Sequence, residues 1–140
     1  AFPTPEEWAV FVKVAWYHTK DNHLDVIDDK LYYFDHFNSK ILTYDEGMNL
    51  LNECEITYPT KEDFWQHKIY KDKALGKFYT IFGSAVNEID VNTGKTSAVA
   101  NANQWMTEKI IIHKGNLYAV TKKRDSAGVW VSYVERIVID

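Results

Sequence analysis

The sequence predicts an α+β domain, and three observations support that class. Helix-start signals concentrate in the first half of the 140-residue chain. Period-two alternation takes over after Lys77, and turns rich in Gly and Asn separate the later runs. No linker, low-complexity tract or internal repeat stands out, so the whole span 1–140 is read as one domain. Its 46% hydrophobic and 15% aromatic content exceeds what a disordered chain carries.

Thr4-Pro5-Glu6-Glu7 opens the first predicted helix: Thr4 caps it, Pro5 sits where a missing N–H costs nothing, and Glu7 completes a capping box. Trp8, Phe11, Val12 and Ala15 then form one apolar stripe, with Val10, Val14 and Tyr17 forming a second. This helix is expected to end near 20–22. A short second helix follows, capped by Asn22, with Leu24, Ile27 and Leu31 inward. Leu31 to Phe37 is dense in aromatics and reads as a buried strand, closed by a turn at Asn38-Ser39-Lys40. Thr43-Tyr44-Asp45-Glu46 repeats the capping-box pattern and predicts a third helix through Met48 and Leu51. Between 55 and 75 the pattern is weakest, with room for one or two helical turns over Thr60–Ile69 carrying Phe64, Trp65 and Ile69.

Beyond Lys77, Tyr79, Ile81, Ala85, Ile89 and Val91 share one face of a long strand that ends at the Asn92-Thr93-Gly94 turn. Thr96 to Met106 places Ala98, Ala100 and Ala102 on one face, and Val99, Asn101, Asn103 and Trp105 on the other. Glu108–His113, Leu117–Arg124 and Val129–Ile139 complete an antiparallel meander, joined by Lys114-Gly115-Asn116 and Asp125-Ser126-Ala127-Gly128.

Composition also excludes functions. A formal charge of −4 argues against nucleic acid as partner. No apolar run reaches the ~20 residues of a membrane span. One cysteine, Cys54, leaves no disulfide framework and no Cys-rich zinc site. The chain begins at Ala1 with Pro3, Pro5 and two glutamates in its first seven residues, which is unlike a signal peptide, and the lone thiol leans toward a cytoplasmic setting. No two histidines stand at i, i+4, so neither metal nor cofactor is expected. Asp35 to Glu46 has the length of a calcium loop, but Lys40 occupies the glycine position and Phe37 offers no ligand oxygen.

The order helix, short helix, aromatic strand, capped helix and long antiparallel strands resembles the NTF2-like cone fold, which includes ketosteroid isomerase, scytalone dehydratase and SnoaL-type cyclases. Leu24–Phe37 with Lys40-Ile41-Leu42-Thr43, Phe78-Tyr79-Thr80-Ile81-Phe82-Gly83-Ser84, Gly115-Asn116-Leu117-Tyr118 and the Gly128–Asp140 ending carry the resemblance. Tyr17-His18-Thr19-Lys20-Asp21 is similar to the first-helix passage of scytalone dehydratase, with His18 standing where that family has its aspartate. Asp35 lies within one residue of the base of ketosteroid isomerase. The resemblance implies a curved sheet around an apolar pocket, and an isomerase, cyclase or dehydratase moving a proton beside a carbonyl of a polyketide- or terpenoid-like substrate. It also implies a homodimer.

In that setting Asp35 is the candidate base and His18 the candidate acid. Tyr17 and Tyr79 are candidate phenolic donors, and Asn101 and Asn103 candidate ligand contacts, with Trp16, Trp65 and Trp105 as pocket walls. Each has an ordinary structural alternative: Asp35 as a strand-end carboxylate, His18 at a solvated helix edge, the tyrosines and tryptophans as core, the asparagines hydrated or cross-paired. Two other functions fit the same residues, a protein that holds an apolar ligand unchanged and an association subunit docking through Val131, Tyr133 and Ile137. Lys122-Lys123-Arg124 reads as a solvated edge that discourages aggregation.

Overall fold

A computed structural model describes residues 4–6, 21–61, 64–102 and 109–139. Among them the regular structure is antiparallel β apart from Pro5 and Glu6, with eleven strands in three sheets. The α+β class and the NTF2-like cone are therefore corrected: the second and third expected helices are strands, and no helix roofs a curved sheet among the described residues. Of the first expected helix only Pro5 and Glu6 are described, in helical conformation, and 7–20 lie outside the described residues.

The described residues fall into two compact units, 1–57 with Asn92–Gly94 and 58–91 with 95–140. The first unit holds a four-stranded meander of β1 (His23–Ile27), β2 (Lys30–Asp35), β3 (Lys40–Tyr44) and β4 (Leu50–Glu55). Helical spacing of Leu24, Ile27 and Leu31 misled because Asp28 and Asp29 both take positive φ (49° and 64°). They form the two-residue turn that pairs Ile27 with Lys30. Leu24 and Val26 consequently point outward and are more than half exposed, while Ile27 is buried. The apparent capping box at Thr43–Glu46 serves a turn instead. Asp45 Oδ1 accepts the Asn49 N–H at 2.9 Å, and its own N–H donates to the Asn49 carbonyl. Those bonds to Asn49 hold the Asp45 carboxyl below the usual range. Phe34 and Ile41, both fully buried, centre this unit with Ile27, Thr43 and Ile56. The Asn92–Gly94 turn packs here too. Gly94 has φ 74°, and a Cβ on it would collide with the Glu55 carbonyl oxygen.

The second unit holds β5 (Tyr70–Asp72), β6 (Lys77–Phe82), β7 (Ala85–Ile89) and β8 (Thr96–Asn101) in one sheet. A second sheet has the order β11-β10-β9, from β9 (Lys109–His113), β10 (Asn116–Arg124) and β11 (Trp130–Val138). The long strand expected over Lys77–Val91 is a hairpin, turned at Gly83 (φ 58°) and Ser84. In place of helical turns at Thr60–Ile69, the chain runs beside β6. Gln66 N–H donates to the Ile81 carbonyl, and Trp65 Nε1–H donates to Thr80 Oγ1 at 2.7 Å. Among the described residues the alanines of this segment meet no helix: Ala98 of β8 is exposed, and Ala102, just past β8, joins the core. That core unites both sheets of the unit through Tyr79, Ile81, Val86, Ala102, Ile112, Leu117, Ala119 and Ile139.

An internal repeat is present after all. Lys30-Leu31-Tyr32, Lys77-Phe78-Tyr79 and Asn116-Leu117-Tyr118 each begin the second strand of a meander, directly after a turn containing positive φ. The following turns repeat the device at Ser39, Gly83 and Gly128. Strands β1, β5 and β9 are thus equivalent, as are β2, β6 and β10, and β3, β7 and β11. Repeats of this size are single supersecondary units. The match is hidden in the sequence because aspartate, serine and lysine fill positions where glycine would advertise the turn.

Candidate functional site

Asp35 ends β2, and its carboxylate is committed to the β2–β3 turn. Oδ1 accepts the Asn38 N–H at 3.0 Å and Asn22 Nδ2–H at 3.4 Å, and Oδ2 accepts Asn38 Nδ2–H at 2.8 Å. Asn22 completes the clamp by donating to the Tyr33 hydroxyl and accepting the His36 N–H, both at 2.8 Å. His36 is buried with its Nδ1 2.6 Å from the Asp21 carbonyl oxygen, and burial lowers its pKa against the opposing pull of Asp21. His23 and His36 flank Phe34 at ring distances of 5.8 and 6.3 Å, and His23 Nε2 lies 3.0 Å from Asp25. This polar cluster fastens the entry to β1 onto the β2–β3 turn. Its geometry is that of a clamp.

Tyr79 is completely buried in the core of the second unit. Asn101 is exposed at the end of β8, opposite Ala85. Trp16, Tyr17, His18, Asn103 and Trp105 lie outside the described residues. Trp65 is buried and fixed by its bond to Thr80.

Asp72 was not singled out by the sequence. Fully buried at the end of β5, it accepts N–H bonds from Leu75 (3.3 Å), Lys114 (3.0 Å) and Gly115 (2.6 Å). Burial alone would raise its pKa. The N–H groups of Gly115, Lys114, Leu75 and Ala74 together outweigh burial and hold the carboxyl below its ordinary value. One carboxylate thereby ties the β5–β6 turn to the β9–β10 turn.

The open recesses among the described residues include two, one in each unit. In the first unit a shallow recess of about 350 Å³ is lined by Asn38, Ser39, Lys40, Glu53, Cys54 and Glu55. Its one cation, Lys40, is paired with Glu53 at 3.0 Å. In the second unit a recess of about 210 Å³ is bounded by Lys122, Lys123, Arg124 and Trp130, with the Arg124 guanidinium 5.0 Å from the Trp130 ring centre.

The β10–β11 recess belongs to a larger surface. Register places Lys109, Ile111 and His113 of β9, Asn116, Tyr118, Val120, Lys122 and Arg124 of β10, and Trp130, Ser132, Val134, Arg136 and Val138 of β11 on one face. The opposite face carries buried Ile112, Leu117, Ala119 and Thr121 and is the core side. The outer face holds four cationic residues and no carboxylate, in a chain of net charge −4. Lys109, Lys122, Arg124 and Arg136 are all exposed, as are Ile111, Trp130, Val134 and Val138. Val131, Tyr133 and Ile137, expected on a docking face, fall on the core side by strand parity, Val131 and Ile137 half-buried and Tyr133 exposed. Alternation of Lys122, Arg124, Trp130, Val134 and Arg136 was the available signal. It is obscured where Lys123 makes the basic residues look contiguous.

Charge is divided along the sequence as well: residues 1–57 carry eleven acidic and four basic side chains, whereas 58–140 carry nine acidic and twelve basic. No helix among the described residues is long and apolar enough to cross a membrane, and no group of three His, Cys, Asp or Glu among them is placed to hold a metal ion. Compared with known proteins, the sequence matches no protein-family model and no curated protein.

Proposed function

We propose that this chain is a binding module that recognises an anionic partner on the outer face of the β9–β11 sheet. The observation that carries the reading is the segregation of four cations, an Arg124–Trp130 stack and exposed aliphatic side chains onto one sheet face without a carboxylate. Guanidinium groups offer forked donors to carboxylate or phosphate, and the stacked ring reduces the freedom Arg124 must lose on binding. Around the cations, Ile111, Val134 and Val138 supply apolar area that a purely ionic site lacks. Tandem antiparallel meanders are a familiar scaffold for such surfaces, four-stranded units of this type being repeated in β-propellers.

Turnover fits less well. Asp35 and Asp72, the buried carboxylates among the described residues, are both consumed by turn N–H groups and amides. The reading is tested by calorimetric titration with a nine-residue peptide of alternating glutamate and valine. Binding is expected, weakening at least tenfold in an Arg124→Glu/Arg136→Glu double variant and again as salt rises from 50 to 200 mM, roughly the range over which screening acts at this spacing. Equal affinity of the variant, or no binding to the native chain, overturns it.

A further inference from the structure

We propose that the outer edge of β11 accepts an extended strand from another polypeptide, in the position that β4 and β8 occupy in their own sheets. Equivalence of the three repeats carries the inference. In the first repeat β4 pairs with β3, in the second β8 pairs with β7, and in the third β11 is the edge of its sheet among the described residues. At nine residues β11 matches β10 as the longest strand, so the edge it presents among the described residues is also long.

The groups on that edge follow from the ladder. Asp125 N–H donates to the Val129 carbonyl and Ile139 N–H to the Gly115 carbonyl, so at both ends of the hairpin the odd-numbered residues of the β11 arm bond toward β10. Alternation then turns the N–H and C=O of Trp130, Ser132, Val134, Arg136 and Val138 outward. These same residues place their side chains on the cationic face. An added strand would therefore gain main-chain bonds and lay alternate side chains beside Arg136 and the Arg124–Trp130 stack.

Partner chemistry rests on the cationic-face reading above. Side chains of the added strand on the outer face meet cations, and those on the inner face meet Val131, Tyr133 and Ile137. The occupant is thus an extended segment in which carboxylates alternate with apolar residues. A second copy fits poorly. Pairing two β11 strands antiparallel about Val134 would set Arg136 beside Ser132 and join two carboxylate-free cationic faces into one.

The test uses the same alternating glutamate–valine peptide, a version N-methylated at every second amide, and the Val134→Pro variant. Proline is tolerated on an edge strand where its N–H faced outward, and the N-methylated peptide gives the answer independently of that variant's folding. Slowed amide exchange at Ser132, Val134, Arg136 and Val138 on peptide binding is expected. The N-methylated peptide and Val134→Pro should each weaken binding tenfold or more. Binding lost on charge reversal but indifferent to N-methylation, without amide protection, overturns strand addition and leaves the cationic-face reading standing. Amide protection that survives Arg124→Glu/Arg136→Glu keeps strand addition and overturns the cationic reading. Concentration-dependent dimerisation protecting the same amides, or preferential binding of a single-stranded oligonucleotide without amide protection, overturns the proposed occupant.

Discussion

Asp72 and the outer face of β9–β11 belong to the same unit of the molecule and treat charge in opposite ways. Asp72 is a buried anion whose partners are all provided locally, by backbone N–H groups of two turns. The outer face gathers exposed cations and carries no carboxylate of its own. The contrast teaches which charges the fold uses up and which it presents. A buried ion survives only when its hydrogen bonds are complete, so Asp72 and Asp35 report on turn geometry. Like charges gathered on one face repel one another, a cost that points to something outside the fold.

Breaking the first half of the comparison should give the largest effect. Asp72→Ala leaves three backbone donors without their acceptor in the core, and a loss of about 3 kcal/mol in the second unit is expected by denaturant unfolding. Because the folded carboxyl lies below its unfolded value of roughly 4, its contribution is present above that pH. It is lost as pH falls through the folded value, and an Asp72→Asn variant should lack this acid-dependent part. A native-like unfolding midpoint for Asp72→Ala would show that the clamp is dispensable.

The first unit should respond at a different pH. His36 has a folded pKa below its unfolded value of about 6.5, so the unfolded chain binds the extra proton first. Stability of β1–β3 is then full above about pH 6.5 and declines as pH falls below it, by amide exchange, while β6 and β10 hold until the Asp72 window is reached. His36→Gln should flatten the slope in the first unit. Equal sensitivity of both units between pH 7 and 5 would erase the distinction.

The smallest effect concerns hydroxyls. Thr43 Oγ1 and Thr121 Oγ1 are buried without a hydrogen-bond partner among the described residues. Thr121→Val removes a desolvated donor from the core side of the β9–β11 sheet and should leave stability unchanged or raise it by up to about 1 kcal/mol. A clear loss in the thermal midpoint would mean the hydroxyl contributes bonding of its own.

Where a turn used glycine or asparagine, the chain was legible. Asn92-Thr93-Gly94, Lys114-Gly115-Asn116 and Asp125–Gly128 all turn where expected, and the strands around the last two follow within a residue or two. Legibility failed where ordinary L-residues adopt positive φ. Asp28, Asp29 and Met48 carry turns at positive φ without the glycine that would mark them, so β1 and β4 read as helices, while the aromatic run Leu31–Phe37 does read as the strand that β2 forms. Thr43-Tyr44-Asp45-Glu46 misled for a deeper reason: a carboxylate that can cap a helix can equally cap a turn, and Asp45 does the latter with Asn49. For the site, Asp35 reads as a carboxylate on a largely apolar strand, but its local partners Asn22 and Asn38 cannot be paired with it from spacing alone. The cationic face needed register. Neither Arg124–Trp130 nor Lys109–Val120–Val134 is a neighbour in sequence.

The most direct measurement is an amide chemical-shift map of the native chain titrated with the alternating glutamate–valine peptide. Shifts concentrated on β11 and the outer-face residues Lys109, Tyr118, Val120 and Arg124 are predicted, with the Asp35–His36 clamp and the Asn38–Glu55 recess unchanged. Shifts centred on Asp35, His36 and Asn38 instead, with β11 silent, would contradict the division between charges that hold the fold and charges that meet a partner.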